Sequence, residues 1–182
     1  VKTIRELHLP AVLEEISLKA RGLILVTGVT GSGKSTALAA MIDHVNQNRR
    51  VNVITIEDPI EFLHRDGMAN ISQREVGSDT LSFASALRHV LRQDPDVILV
   101  GEIRDMETLD TALKAADTGH LVFSTLHTTD TTQTLNRIIS FYPPYQHQEI
   151  RMLLATALQA VVSLRLVPRA DGRGRVPAAE VL

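Results

Sequence analysis

The chain has 182 residues, with 19 Lys and Arg against 21 Asp and Glu for a net charge of −2, and 44% of its residues are hydrophobic. This length and hydrophobicity suit one domain with a large core, which excludes a disordered tail, and no apolar run approaches the ~20 residues that span a bilayer. The absence of cysteine excludes disulfides and thiolate zinc sites, and the first residues lack a signal-peptide pattern.

Apolar periodicity predicts short strands that alternate with longer helices. Strands are predicted near residues 23–27, 51–56, 97–100 and 121–125, and helices near residues 10–19, 34–46, 83–93, 106–118, 132–139 and 145–163. The run Val97–Val100 is apolar without alternation, which is typical of a parallel strand covered by helices on both faces. Residues 164–167 and 175–178 flank a Gly-containing turn and predict a β-hairpin. The expected fold class is α/β, a doubly wound and mostly parallel sheet with helices on both faces and a C-terminal β-hairpin.

The segment from Gly28 to Thr36 fits the pattern Gly-x-x-x-x-Gly-Lys-Ser and lies between the first predicted strand and the second predicted helix. Its glycines allow successive backbone N–H groups to turn inward around phosphate oxygens. Lys34 begins a helix whose N-terminal dipole favours anions, and the Ser35 hydroxyl can ligate Mg²⁺. A chance Gly-rich turn does not explain strand, loop and helix in this order. The expected nucleotide-binding residues are Gly28, Thr30, Gly31, Ser32, Gly33, Lys34, Ser35 and Thr36.

Three carboxylates, Glu57, Asp58 and Glu61, follow the second predicted strand. Ligands of an open parallel sheet bind at the carboxyl ends of its strands, which is where this segment begins. We expect these groups to orient or deprotonate a water molecule near a γ-phosphate. The alternative is a solvated acidic loop.

Glu102 follows the apolar strand 97–100 almost at once, which is the Walker B arrangement that supports Mg²⁺ through its water shell. Asp96 precedes the same strand and is therefore expected at the far edge of the sheet. A surface cap on the following helix is the alternative for Glu102.

Two histidines bracket the strand near 121–125, and only His127 follows it. We therefore expect His127 to contact the γ-phosphate region, whereas His120 is either functional or a core or capping histidine. The remaining five, which share no spacing typical of ligands, are His8, His44, His64, His89 and His147. An arginine beside the charge that develops on the phosphate is useful in phosphoryl transfer. The candidates are Arg88, Arg92 and Arg104, and the sequence leaves open whether they serve this role or form structural ion pairs.

These motifs, in this order, resemble the secretion ATPase superfamily of type II secretion and type IV pilus motors. Residues 28–36 resemble its Walker A motif, 56–62 its Asp box, 94–105 its Walker B motif and 118–128 its His box. Assembly and secretion motors of the superfamily usually carry a tetracysteine zinc insertion after the His box. Because this chain has no cysteine, the resemblance favours the retraction motors of type IV pili.

The resemblance implies a RecA-like P-loop NTPase core over residues 10–182, preceded by a linker at 1–9, without the PAS-like domain and C-terminal helices of the family. It also implies Mg²⁺-dependent ATP hydrolysis by a homo-hexamer that acts through an inner-membrane platform protein. Glu57 would activate water, with Glu61 as the next candidate, Glu102 would hold Mg²⁺ together with Ser35, and His127 would contact the nucleotide. Such a motor is cytoplasmic, at the inner face of the inner membrane, and reaches the membrane only through partners.

Three alternatives to a retraction motor remain at this point. The first is an assembly or type II secretion ATPase, and the second is a nucleotide-binding regulatory subunit of a ring with little turnover. The third, a nucleic-acid motor, is disfavoured because four Phe, two Tyr and no Trp offer little surface for base stacking.

Overall fold

The computed structural model describes residues 1–182 and contains one seven-stranded sheet flanked by helices. In chain order the elements are α1 (Val12–Ser17), β1 (Gly22–Thr27), α2 (Lys34–Asn48), β2 (Asn52–Glu57), β3 (Asn70–Glu75), α3 (Phe83–Val90), β4 (Val97–Val100), α4 (Met106–Asp117), β5 (Leu121–Leu126), α5 (Thr131–Ser140), a 3₁₀ turn (Pro144–Gln146), α6 (His147–Ala157), β6 (Leu158–Pro168) and β7 (Arg175–Val181). None of the helices combines the length and the hydropathy needed to cross a membrane.

The strand order across the sheet is β3-β2-β4-β5-β1-β6-β7. Every neighbouring pair is parallel except β6 and β7, which form the C-terminal hairpin. The strand β1 lies between β5 and β6, with Thr27 opposite Leu126 on one side and Ser163 on the other. Parallel pairing brings the carboxyl ends of β1, β2, β4 and β5 to one edge, where the loops that follow them meet.

Each face of the sheet is covered by helices, because alternate residues of a strand point to opposite faces. In β1, Leu23 and Leu25 join a core cluster that includes residues of α3, α4, α5 and α6. Ile24 and Val26 join a second cluster with residues of α1 and α2. This confirms the predicted doubly wound arrangement, and the structure has the RecA-like α/β fold that the sequence pattern indicates.

Two elements differ from the sequence prediction. The helix predicted over 145–163 is wrong beyond Ala157, because the chain enters β6 at Leu158 and pairs with β1. Short apolar runs such as this one fit a buried strand and a buried helix equally well by periodicity, and tertiary pairing decides between them. The strand β3 was not predicted, because its sequence from Asn70 to Glu75 is mostly polar. It forms an edge strand that pairs on one side only, with the buried strand β2.

Residues 1–9, expected to be a linker, pack against the domain. Ile4 and Leu9 are only 2% and 8% exposed and belong to the core cluster on the α2 side of the sheet. The segment therefore buries apolar surface instead of lying free of the domain.

Candidate functional site

The loop between β1 and α2 begins at Gly28 and ends at Gly33, which precedes the first residue of α2. Gly31 and Gly33 have φ values of 76° and 96°, in the left-handed region that disfavours side chains. A Cβ atom at either position would meet no atom within 4 Å, so both face open space. Gly28, in contrast, lies where a Cβ would collide with the Ser32 side chain and with the carbonyl of Leu164 on β6. The first glycine is thus a packing requirement, and the other two are conformational ones.

Polar atoms of the loop face inward. The Lys34 ammonium donates to the carbonyls of Gly28 at 2.8 Å and Val29 at 3.0 Å, which holds it over the loop. Burial lowers the pKa of Lys34, while the charges of Glu102 and Glu61 act in the opposite direction. Ser32 is 2% exposed and its hydroxyl has no hydrogen-bond partner in the chain. A lysine beside a helix N-terminus suits an anion with several oxygen atoms.

The acidic segment that begins at the end of β2 carries the three predicted carboxylates, Glu57, Asp58 and Glu61. One oxygen of Glu57, Oε1, accepts from the Thr55 hydroxyl at 2.6 Å and from the Gln73 amide at 3.1 Å. Glu61 accepts from the Ser35 hydroxyl at 2.8 Å, which links this segment to the phosphate-binding loop. The two segments therefore meet at Ser35.

Glu102, at the end of β4, uses both of its carboxylate oxygens. Oε1 lies 3.1 Å from His127 Nε2, and Oε2 accepts from Arg104 Nε at 2.8 Å. The same guanidinium reaches Asp58 Oδ2 at 3.4 Å and lies over the ring of Phe83. Glu102, through its hydrogen bond and charge, is the main cause of the raised pKa of Arg104. The carboxyl ends of β2, β4 and β5 are joined through this network.

All of these groups surround one cleft of about 530 Å³. Eleven of the predicted site residues line it: Thr30, Gly31, Gly33, Lys34, Ser35, Thr36, Glu57, Asp58, Glu61, Glu102 and His127. The other two, Gly28 and Ser32, do not line the cleft, and the Ser32 side chain packs close to Gly28 within the loop. The sequence pattern thus identifies the residues around the cleft, and the structure shows which of them line it.

Three residues near the carboxylates were not singled out from the sequence as site residues. Thr55 and Gln73 hold Glu57, and His64 lines the cleft with its Nδ1 atom buried and without a partner. Burial lowers the pKa of His64, although the charges of Glu57 and Asp43 raise it. The only local signal was the period of two that places Thr55 and Glu57 on one face of β2.

The remaining candidates lie elsewhere or pair with neighbours. His120 precedes β5, and its Nδ1 atom lies 2.9 Å from the carbonyl of Ala115, in the capping position that the sequence left open. Asp96 accepts from the backbone N–H of Asn52 at 2.8 Å, before the start of β4 and therefore at the far edge. Arg88 forms an ion pair with Glu107, whereas Arg92 is exposed and has no ion-pair partner in the chain.

The cleft fits a nucleotide with Mg²⁺. The open backbone at Gly31 and Gly33 leaves room for phosphate oxygens, and Ser35 offers a hydroxyl next to the Lys34 ammonium. No group of three or more His, Asp or Glu side chains is arranged to ligate a metal ion directly. Mg²⁺ usually keeps several waters and binds substrate phosphates with only one or two protein ligands, so Ser35 with Glu102 nearby is a sufficient set.

Comparison with known proteins gives a consistent picture. Residues 5–180 match the family described as Type II/IV secretion system protein. The chain is 50% identical over 182 residues to a twitching motility protein of Neisseria gonorrhoeae and to the type IV pilus retraction ATPase PilT of Pseudomonas aeruginosa, and covers 49% and 53% of them. A crystal structure of the pilus retraction motor PilT with bound ADP superposes with a TM-score of 0.97 at 52% identity, with 100% of this chain and 53% of that chain covered. The chain therefore spans about half the length of the relatives it matches.

Proposed function

The chain belongs to the type II/IV secretion system protein family, and on that premise we propose that it is the ATPase core of a type IV pilus retraction motor. The observation that carries the proposal is the meeting of Lys34, Ser35, Glu57 and Glu102 at one cleft, at the carboxyl edge of the sheet. A phosphate-binding loop beside carboxylates that can activate water and support a metal ion is the arrangement that phosphoryl transfer to water requires. The naming of the relatives for retraction and twitching motility supports the direction of the motor.

Each residue of the cleft has a distinct part in this proposal. The backbone of residues 30–36 and the Lys34 ammonium bind the phosphates of ATP. Mg²⁺, when bound, neutralises charge on the phosphates, with Ser35 as ligand and Glu102 acting through water.

Glu57 accepts the proton of the water that attacks the γ-phosphorus, and the bond to ADP breaks in the same displacement. Glu61 is the next candidate for this base, because it lies in the same segment and contacts Ser35. His127 contacts the nucleotide from the end of β5, where its pairing with Glu102 holds it at the cleft.

The assembly is part of the proposal. We expect a homo-hexameric ring at the cytoplasmic face of the inner membrane, attached through a platform protein of the pilus machinery and not to nucleic acid. Arginines completing the site from a neighbouring subunit fit this arrangement, since phosphoryl transfer is often helped by a cation supplied from outside the domain. The ring would convert hydrolysis into removal of pilin subunits.

The test is steady-state ATP hydrolysis by the complete protein with Mg²⁺, beside Glu57→Ala and Glu102→Ala. Loss of the base should slow turnover by roughly 100-fold or more and leave ATP binding intact. Glu15→Ala is the matched control, because Glu15 is an exposed carboxylate on α1 whose ion-pair partner is Lys19. Normal turnover by Glu57→Ala would transfer the role to Glu61.

Two further outcomes decide among the alternatives. Tight ATP binding without turnover in the assembled ring would favour a regulatory subunit over a motor. If turnover is present, deletion of the gene in a piliated host should abolish twitching and leave more pili on the surface. Loss of pili on deletion would instead indicate an assembly motor.

A further inference from the structure

The side chain of Glu57 is held by two hydrogen bonds that both reach the same oxygen. Thr55 Oγ1 donates to Oε1 at 2.6 Å, and Gln73 Nε2 donates to it at 3.1 Å. A carboxylate oxygen offers about two lone-pair sites, so Oε1 is fully used. No group of the chain donates to Oε2, and Glu57 lines the cleft. The carboxylate thus has one anchored oxygen and one available oxygen.

Strand pairing explains why these three side chains meet. Thr55 and Glu57 lie two residues apart on β2, and so their side chains point to the same face. The parallel register places Gln73 of β3 directly opposite Thr55. Thr55 is 1% exposed, and it and Glu57 lie on the α2 side, since Ile54 and Ile56 belong to the core on the other face. The contact therefore follows from register and not from a mobile loop.

The orientation of the Gln73 amide is determined by its partners. Nε2 donates to Glu57 and also to the carbonyl of Phe62 at 2.9 Å, while Oε1 accepts from the backbone N–H of His64 at 2.9 Å. Turning the amide over would bring its oxygen against two other oxygens and its NH₂ group against an N–H. Three of the four hydrogen-bonding sites of the amide are thus used in one arrangement.

The same strand holds the segment that follows Glu57. Gln73 binds this segment at Phe62 and His64, and Glu75, two residues further along β3, accepts from the backbone N–H of Ile60 at 2.9 Å. Glu61 lies between these attachment points and accepts from Ser35. A polar edge strand is therefore the support on which the acidic segment rests.

We propose that Gln73 is a positioning residue for ATP hydrolysis: together with Thr55 it anchors Oε1 of Glu57 and so directs Oε2 toward the attacking water. The inference rests on the proposed function, because it takes Glu57 as the base. Small displacements of a catalytic group reduce the rate strongly, so a fixed carboxylate is worth more than a rotating one. Gln73 itself touches neither nucleotide nor water in this role.

The first experiment separates turnover from nucleotide binding in the complete protein. Gln73→Glu keeps an acceptor for His64 and loses the donor to Glu57, and Thr55→Val removes the other donor without touching the acidic segment. Each should lower kcat by about tenfold and leave the affinity for a fluorescent ADP analogue unchanged. Ser72→Ala is the matched control, because Ser72 is the exposed neighbour of Gln73 on the opposite face of β3 and makes no side-chain hydrogen bond. It should retain full activity.

The pH profile of Gln73→Glu gives a readout that a purely structural role would not move. A second carboxylate next to Glu57 makes it harder for both groups to ionise, so the acid limb of the kcat profile should move to higher pH. Thr55→Val removes a hydrogen bond that favours the ionised carboxylate, so it should move the limb in the same direction by a smaller amount.

A double-mutant cycle with Glu57→Ala completes the test. If Gln73 acts only through Glu57, the double variant should turn over as slowly as Glu57→Ala alone. Losses that multiply would show that Gln73 acts independently of Glu57 and would overturn the inference. The inference would also be overturned if Gln73→Glu and Thr55→Val both keep kcat within about twofold of the unsubstituted protein while Glu57→Ala is impaired. The proposed function would stand in that case. Absence of turnover in the unsubstituted protein would overturn the proposed function and the inference together.

Discussion

The phosphate-binding loop (residues 28–36) and the acidic segment (residues 57–64) line the same cleft but are held in different ways. In the loop, the hydrogen bonds of Lys34 are local in sequence, since it binds the carbonyl of Gly28, six positions away, and glycine conformations set the shape. In the acidic segment, Glu57 depends on Gln73, 16 positions away, and Glu61 on Ser35, 26 positions away. A site formed by backbone geometry can be recognised from a short stretch of sequence. A site formed by side-chain partners depends on how the strands of the sheet pair.

The largest effect expected on stability comes from the packing glycine of the loop. Gly28→Ala introduces a Cβ that collides with the Leu164 carbonyl and Ser32, at a φ of 144° that disfavours side chains. Overpacking and backbone strain together should cost about 3 kcal/mol of unfolding free energy. Thermal melting of the complete protein measures the loss.

Gly31→Ala is the matched comparison, since its φ of 76° is also left-handed but its Cβ would meet nothing within 4 Å. It should lose only about 1 kcal/mol, from backbone strain alone. Equal losses of unfolding free energy at the two glycines would contradict the packing requirement at Gly28. Both positions would then need glycine only for its backbone conformation.

Lys34→Ala tests the loop as a phosphate site. Removal of one charge-assisted contact should weaken ATP binding by roughly 30- to 150-fold, or about 2 to 3 kcal/mol. Titration with a fluorescent ATP analogue measures the change.

Lys114→Ala is the control for Lys34, because Lys114 pairs with Asp110 on α4 and does not line the cleft. The affinity of Lys114→Ala for the ATP analogue should equal that of the unsubstituted protein. If Lys34→Ala also binds normally, the loop does not supply the main phosphate contact and the contrast between the two regions disappears.

Most of the fold could be predicted because the core strands are continuous apolar runs. Val97–Val100 is four fully buried residues, and the prediction matches its bounds. The two errors come from segments whose state depends on a neighbour. Leu158–Ser163 becomes a strand because β1 accepts it as a parallel partner, and Asn70–Glu75 becomes a strand because β2 offers an edge. Neither fact is present in the local sequence.

The candidate site divides along the same line. Lys34, Ser35, Glu57, Glu102 and His127 could be found because each follows a recognisable strand at the edge where ligands bind. Gln73 could not be found, because the strand that carries it was not predicted. His64 gave no signal either, since its surroundings come from Glu57 and Asp43 in other parts of the chain.

His64 provides the smallest and most specific test of the acidic segment. Burial lowers the pKa of His64 below its ordinary value of 6.5, against the opposing charges of Glu57 and Asp43. Below about pH 6.5 the unfolded chain therefore binds a proton that the folded chain does not, and stability is lost as the pH falls toward the folded pKa. Melting temperatures of the complete protein from about pH 8 to about pH 5 should show this loss, and His64→Gln should reduce it.

The control for this prediction is His89→Gln, because His89 is exposed on α3 and its side chain makes no hydrogen bond. That variant should keep the pH dependence of the unsubstituted protein. If His64→Gln keeps this pH dependence as well, His64 has the same protonation in the folded and the unfolded protein. The acidic segment is then open to water. The anchoring of Glu57 by Gln73 would in that case act in a solvated setting, where a hydrogen bond is weaker, and its expected effect on kcat would shrink accordingly.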